Sequence, residues 1–148
     1  MGPFGGISWR LNVRPHGPIV FYIDVPISIG FGRMGSQSSK HNHARESIVI
    51  CVHGTFAGSD EDVGKRWWQS DSPFSKRLAS QLPRSVRLAR NREVFHWSGE
   101  NSERARSRAA ADLYAHLKKI EDSGKEFHLI GHSHGGSVIW HALKSATL

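Results

Sequence analysis

Read as apolar and polar positions, the chain has a front with little period and a remainder with a clear one. Residues 1–18 are rich in Gly, Pro and Arg and read as irregular; residues 19–25 carry a short apolar run that reads as a strand. Residues 30–46 hold Gly, Ser, Gln, Asn, His and Lys and read as a loop or linker. From Ser47 the signals alternate. Residues 47–52 form a continuous apolar run, the mark of a strand buried on both faces. Residues 73–82 read as a short helix, with Ser72 as its cap and Pro73 at the first helical position. Residues 93–97 read as a second strand. Residues 102–123 read as a longer helix, because Ala105, Ala109, Leu113, Leu117 and Ile120 fall on one face and Gly124 closes it. Residues 127–130 read as a third buried strand. Residues 135–146 read as a third helix, with Val138, Ile139, Ala142, Leu143 and Ala146 on one side.

Strand, helix, strand, helix, strand, helix implies an α/β fold: a mostly parallel sheet with flanking helices and right-handed crossovers. Residues 1–46 stand before it as an irregular N-terminal segment with one possible strand, and residues 47–148 form the domain. In such sheets, sites form beyond the carboxyl ends of the strands. Two chemically loaded segments fall there.

The first is Gly131-His132-Ser133-His134-Gly135-Gly136, after the third strand and before the third helix. This is a Gly-x-Ser-x-Gly elbow in the context that gives it meaning. A serine on so tight a strand-to-helix turn projects its hydroxyl into a cleft. Gly131 and Gly135 leave room where strand and helix backbones nearly touch. The helix N-terminus then offers unpaired N–H groups beside a reacting carbonyl. Chance alone would place the pentapeptide in roughly one chain in twenty of this size. The placement between a buried strand and an amphipathic helix removes most such accidents, and Ser133 is the candidate nucleophile.

The second segment, His53-Gly54-Thr55-Phe56-Ala57-Gly58, follows the first strand. An oxyanion hole needs two backbone N–H groups aimed at one point. One comes from the residue after the nucleophile, His134, and the other from the loop after an earlier strand. Thr55 fits that place, with Phe56 as the alternative; His53 and Gly54 support the loop.

Residues 47–142 resemble the α/β-hydrolase superfamily on its lipase and esterase side. Val52-His53-Gly54-Thr55 resembles the family's third strand and oxyanion loop, and residues 128–136 resemble its fifth strand and nucleophile elbow. Residues 95–102 and the Arg- and Ala-rich helix after them are similar to bacterial lipase-like hydrolases of uncertain substrate. The resemblance implies a serine hydrolase acting on carboxylic esters, including lipid esters, through an acyl-enzyme on Ser133 and without a cofactor. In that family an acid and a histidine follow the nucleophile. After Ser133 this chain has no acidic residue, and only His134 and His141 as histidines. The expectation is a partial hydrolase domain whose closing strands, acid and base lie beyond Leu148. As given it would turn over little, and the third strand would be an unpaired apolar edge open to self-association. Upstream, His53 and His96 are the candidates for a replacement base. Trp67 and Trp68 either line or cap the acyl cleft, or pack under the loop of residues 58–64.

Composition narrows this picture. The close histidine pairs, His41-x-His43 and His132-x-His134, lack the spacing and third ligand of a zinc site, so no metal is expected. Cys51, the single cysteine, sits in an apolar run and reads as a core residue. The net charge is +7, much of it from Arg84, Arg87, Arg90 and Arg92 and from Arg104, Arg106 and Arg108. No aromatic-and-basic nucleic-acid module accompanies them, so they read as a solvated face and no nucleic-acid partner is expected. No signal-peptide pattern and no apolar run of membrane-spanning length is present, which makes the cytoplasm the expected location. Two rival readings remain: a non-catalytic binding or scaffold module that keeps the fold, and a basic domain docking on anionic lipid or nucleic acid.

Overall fold

A computed structural model of the chain describes residues 8–12, 20–24 and 46–146, the first two stretches as backbone alone. The elements are β1 (Ser8–Asn12), β2 (Val20–Asp24), β3 (Ser47–Val52), α1 (Pro73–Gln81), β4 (Val86–Leu88), α2 (Glu103–Asp122), β5 (Glu126–His132) and α3 (His134–Ala146). A 3-10 turn at Asn91–Glu93 follows β4. One five-stranded sheet runs in the order β1-β2-β5-β3-β4. β3, β4 and β5 are parallel, whereas β2 lies antiparallel against both β5 and β1. The α/β class read from the sequence is therefore present, as a small parallel sheet with flanking helices and an antiparallel extension.

The sheet is covered on both faces, which is why β3 is apolar at every position but its first. Side chains alternate across a strand. Ile48, Ile50 and Val52 join one core with Leu113 and Leu117 of α2 and Val138 and Ile139 of α3. Val49 and Cys51 join the other with Trp68, Ile130 and the α1 residues Phe74 and Leu78. Burial of Cys51 pushes its thiol up to about 12, so it behaves as a small apolar side chain. The chain thus leaves β3 over one face and β5 over the other, and β3 and β5 are neighbours. A crevice opens between the carboxyl ends of two strands whose outgoing connections diverge in this way.

Local chemistry sets the element ends. Ser72 Oγ accepts from the Ser75 N–H at 3.0 Å, with Pro73 opening α1. Ser102 Oγ accepts from the Ala105 N–H at 3.1 Å, capping α2. Gly124, with φ of 78°, closes α2 in the left-handed region.

Four expectations are corrected. Residues 93–97 are not a strand; the strand before α2 is β4, paired to β3 through Ser47, Ile48 and Val49. The 3-10 turn and a positive φ at Asn91 carry the chain off the sheet before residue 93. Phe95 and Trp97 then bury their rings without any ladder of backbone bonds. The stretch read as irregular contains the strand β1. The outer edge of β5 is not bare, because β2 pairs with it from Leu129 to His132. Arg87 is not on a solvated face: it donates to Glu93 through both terminal nitrogens, at 2.6 and 2.9 Å, and to Glu46 at 2.6 Å. The loop expected over residues 30–46 lies, apart from Glu46, outside the described residues, as do His41 and His43. Among the described residues, no helix is long and apolar enough to cross a membrane.

Candidate active site

Ser133 is the single residue between the end of β5 and the start of α3. Its φ is 54°, a left-handed conformation that costs a residue with a side chain roughly 1–2 kcal/mol. It is exposed while its neighbours Gly131 and Gly135 are buried. The strain is imposed by close packing behind it. A Cβ added at Gly135 would lie 2.2 Å from the Val52 carbonyl oxygen, and one at Gly131 would lie 2.8 Å from Ile139 Cδ1. Only glycine lets α3 start that close to β3.

The loop after β3 is pressed onto the same turn. A Cβ at Gly54 would stand 2.8 Å from the His132 carbonyl oxygen and 2.9 Å from Ser133 Cβ. Thr55 Oγ1 lies 3.4 Å from His134 Nδ1. The two segments singled out in the sequence are thus in contact at the carboxyl ends of β3 and β5. Of the two candidate loop donors, Phe56 is removed: its N–H donates to the Gly99 carbonyl at 2.8 Å. Phe56 also has a positive φ of 61° and an 82% exposed ring, so it projects outward at the rim. Thr55 remains. On the other side, His134 is the first residue of α3, and the first N–H groups of a helix have no partner within it. The Gly136 N–H turns back to the Ser133 carbonyl at 2.9 Å.

Both candidate replacement bases are engaged elsewhere. His53 is fully buried, stacked between Trp68 at 5.1 Å and Trp97 at 5.5 Å. Its Nδ1 sits 2.9 Å from the Gly54 carbonyl oxygen, and burial lowers its pKa. His96 lies 2.8 Å from the Ser59 carbonyl oxygen through Nδ1 and 2.6 Å from Asp62 through Nε2. Both of its nitrogens face oxygen atoms of the 58–64 loop. His96 therefore ties the 58–64 loop to the segment before α2. Both are in hydrogen-bond contact with the loop that carries Thr55.

The tryptophans divide. Trp68 packs under the loop, its indole N–H donating to the Ala57 carbonyl at 2.9 Å. Trp67 packs beside the elbow, its ring edge-on to Phe74 at 5.3 Å and to His132 at 5.8 Å. Sequence reasoning missed Trp97, whose indole N–H donates to the His53 carbonyl at 2.9 Å, and Gly99, which binds the Phe56 N–H. No spacing rule joins them to a loop some forty positions upstream. Among the described residues, no group of three or more His, Cys, Asp or Glu side chains converges as a metal set. The arrangement can direct backbone N–H groups at a charge developing next to an exposed hydroxyl. Compared with known proteins, the chain matches no family model, no curated protein and no solved structure.

Proposed function

We propose that this chain carries the nucleophile and oxyanion hole of a serine hydrolase of the α/β-hydrolase class, cleaving carboxylic esters through an acyl-enzyme on Ser133. One observation carries the reading: Ser133 is exposed and left-handed at a strand-to-helix junction, with the Thr55 loop packed directly against it. A residue held in a sparsely populated conformation persists only where the surroundings over-determine it, and such residues cluster at active sites. The Ser133 Oγ attacks the ester carbonyl, and the Thr55 and His134 N–H groups receive the oxyanion. The serine proton passes through a general base to the leaving alkoxide, which departs as the alcohol. Water then attacks the acyl-serine and releases the carboxylic acid. The substrate class, a small-molecule or lipid ester, rests on the resemblance of the elbow and the His53-Gly54-Thr55 loop.

In this reading the base is neither His53, which is fully buried, nor His96, whose two ring nitrogens face Ser59 and Asp62. Without an engaged base a serine hydroxyl is a weak nucleophile, and general base catalysis is worth about 10²–10⁴-fold. The chain by itself is therefore expected to react slowly. A fluorophosphonate probe is expected to add one phosphonyl group, located on Ser133 by peptide mass mapping and absent in Ser133→Ala. Hydrolysis of nitrophenyl esters should be weak and should disappear in the same variant. Absence of label under forcing probe concentration, or label on another residue, sinks the reading.

A further inference from the structure

Within the proposed oxyanion hole, and resting on that reading, we infer that His53 is the positioning residue that aims the Thr55 N–H at the elbow. The His53 ring sits 2.9 Å, through Nδ1, from the Gly54 carbonyl oxygen. A carbonyl only accepts, so Nδ1 carries the proton and donates. The Gly54 carbonyl and the Thr55 N–H belong to one peptide unit. No cis peptide bond is present among the described residues, and in a trans unit these two groups point in opposite directions. Fixing the carbonyl on the His53 ring therefore turns the Thr55 N–H to the other side. The Gly54 backbone itself is held against Ser133 Cβ and the His132 carbonyl, so the freedom left to this peptide is chiefly its rotation.

The ring is built to stay where it is and as it is. Trp68 and Trp97 sandwich it, and the Trp97 indole N–H holds the His53 carbonyl at 2.9 Å. Burial disfavours the charged imidazolium, and the Gly54 carbonyl places the proton of the neutral ring on Nδ1. Nε2 is then a buried acceptor with no hydrogen-bond partner among the described residues. An unmet polar atom in a fully buried ring is costly, which a residue chosen only to fill space between two indoles would avoid. A phenylalanine would stack as well and leave nothing unmet. The Nδ1–H donor is what the histidine adds.

Two substitutions separate the donor from the ring. His53→Phe keeps an aromatic ring between the tryptophans and removes the donor. His53→Asn places an amide N–H where Nδ1 stood and removes the ring. The rate of fluorophosphonate labelling of Ser133 is expected to fall roughly tenfold to a hundredfold in His53→Phe and to be largely recovered in His53→Asn. The thermal midpoint should show the reverse order, with His53→Asn the less stable. Equal labelling rates in the two variants, or rates that simply follow stability, overturn the inference. If Ser133 is not labelled in the unsubstituted chain, the hydrolase reading fails, and the positioning claim is still decided by NMR. Long-range nitrogen spectra of the His53 ring should report the Nδ1–H form. The Thr55 amide resonance should move in His53→Phe and stay near its place in His53→Asn. An Nε2–H ring, or a Thr55 amide indifferent to the donor, overturns it.

Discussion

The two ends of the parallel sheet are built from opposite materials. At the amino ends of β3, β4 and β5, charge does the joining. Glu93 accepts from Arg87 at 2.6 and 2.9 Å and from Lys125 at 2.6 Å, and Arg87 reaches Glu46 at 2.6 Å. Together these side chains tie Glu46, just before β3, and Lys125, just before β5, to β4 and the turn that follows it. The paired cations hold the Glu93 carboxyl down at about 2. At the carboxyl ends of β3 and β5, the tightest contacts are made by glycine backbone. Glycines close the gaps, His53 is buried and neutral, and Phe56 and Ser133 are forced to positive φ. One end holds the strands in register through long, adaptable, charged side chains. The other has no adaptable parts, so it keeps a strained geometry that a softer end would relax. Carboxyl-end loops carry sites in open α/β sheets for topological reasons. Here those loops are also tightly packed.

The comparison breaks most readily at Gly135. Gly135→Ala would drive a methyl into the Val52 and His53 carbonyls, against backbone that cannot give way. A loss of about 3 kcal/mol or more is expected, measured by denaturant titration, with Ser133 labelling abolished as the helix start is pushed back. A loss under about 1 kcal/mol would show that the carboxyl end is softer than described. At the opposite end, Glu93→Gln should cost about 1–2 kcal/mol, since two cations lose their partner in a part-buried site. Labelling of Ser133 should be unchanged. The pH dependence follows from the sign of the shift. The folded pKa of Glu93 lies below its ordinary 4.5, so its contribution is complete above that value and is lost as pH falls toward about 2. Between those limits the parent should lose stability more steeply than Glu93→Gln; parallel curves would remove Glu93 from the account. The smallest effect should be a gain. Ser133→Gly relieves the left-handed strain and is expected to add about 0.5–1 kcal/mol, the relief being partly offset by the freer unfolded chain. A neutral or destabilising outcome would mean that the strain is absorbed elsewhere.

Much of this was legible in the sequence where the signal is local. The apolar run at β3, the Ser72 and Ser102 caps, Gly124 and the glycines around Ser133 all declare themselves within a few residues. What sequence reasoning missed depends on pairing between distant segments. β4 has three residues and takes its strand partner from β3, almost forty positions upstream. Phe95 and Trp97 are as buried as strand residues, so their apolar pattern reads as a strand although their backbone joins no ladder. Arg87 looks like one of many surface arginines until Glu46, Glu93 and Lys125 are brought to it by the fold. At the candidate site, the motifs single out Ser133, Thr55 and His134, whose segments the fold brings together, whereas the tie from Trp97 to His53 depends on the loop after β4 returning across the top of the sheet.

The antiparallel pairing of β2 with β5 also bears on how the chain acquires its shape. Val20 is matched to His132 and Ile23 to Leu129, so the strand leading into the elbow gets its outer neighbour from near the start of the chain. During synthesis β1 and β2 emerge about a hundred residues before β5 and must wait for it. Closing a loop of that length is entropically unfavourable and is rewarded only at the end. Completion of the β5 edge is therefore expected to be a late and slow event, and the interval before it is when the apolar strand is open to pairing with another copy.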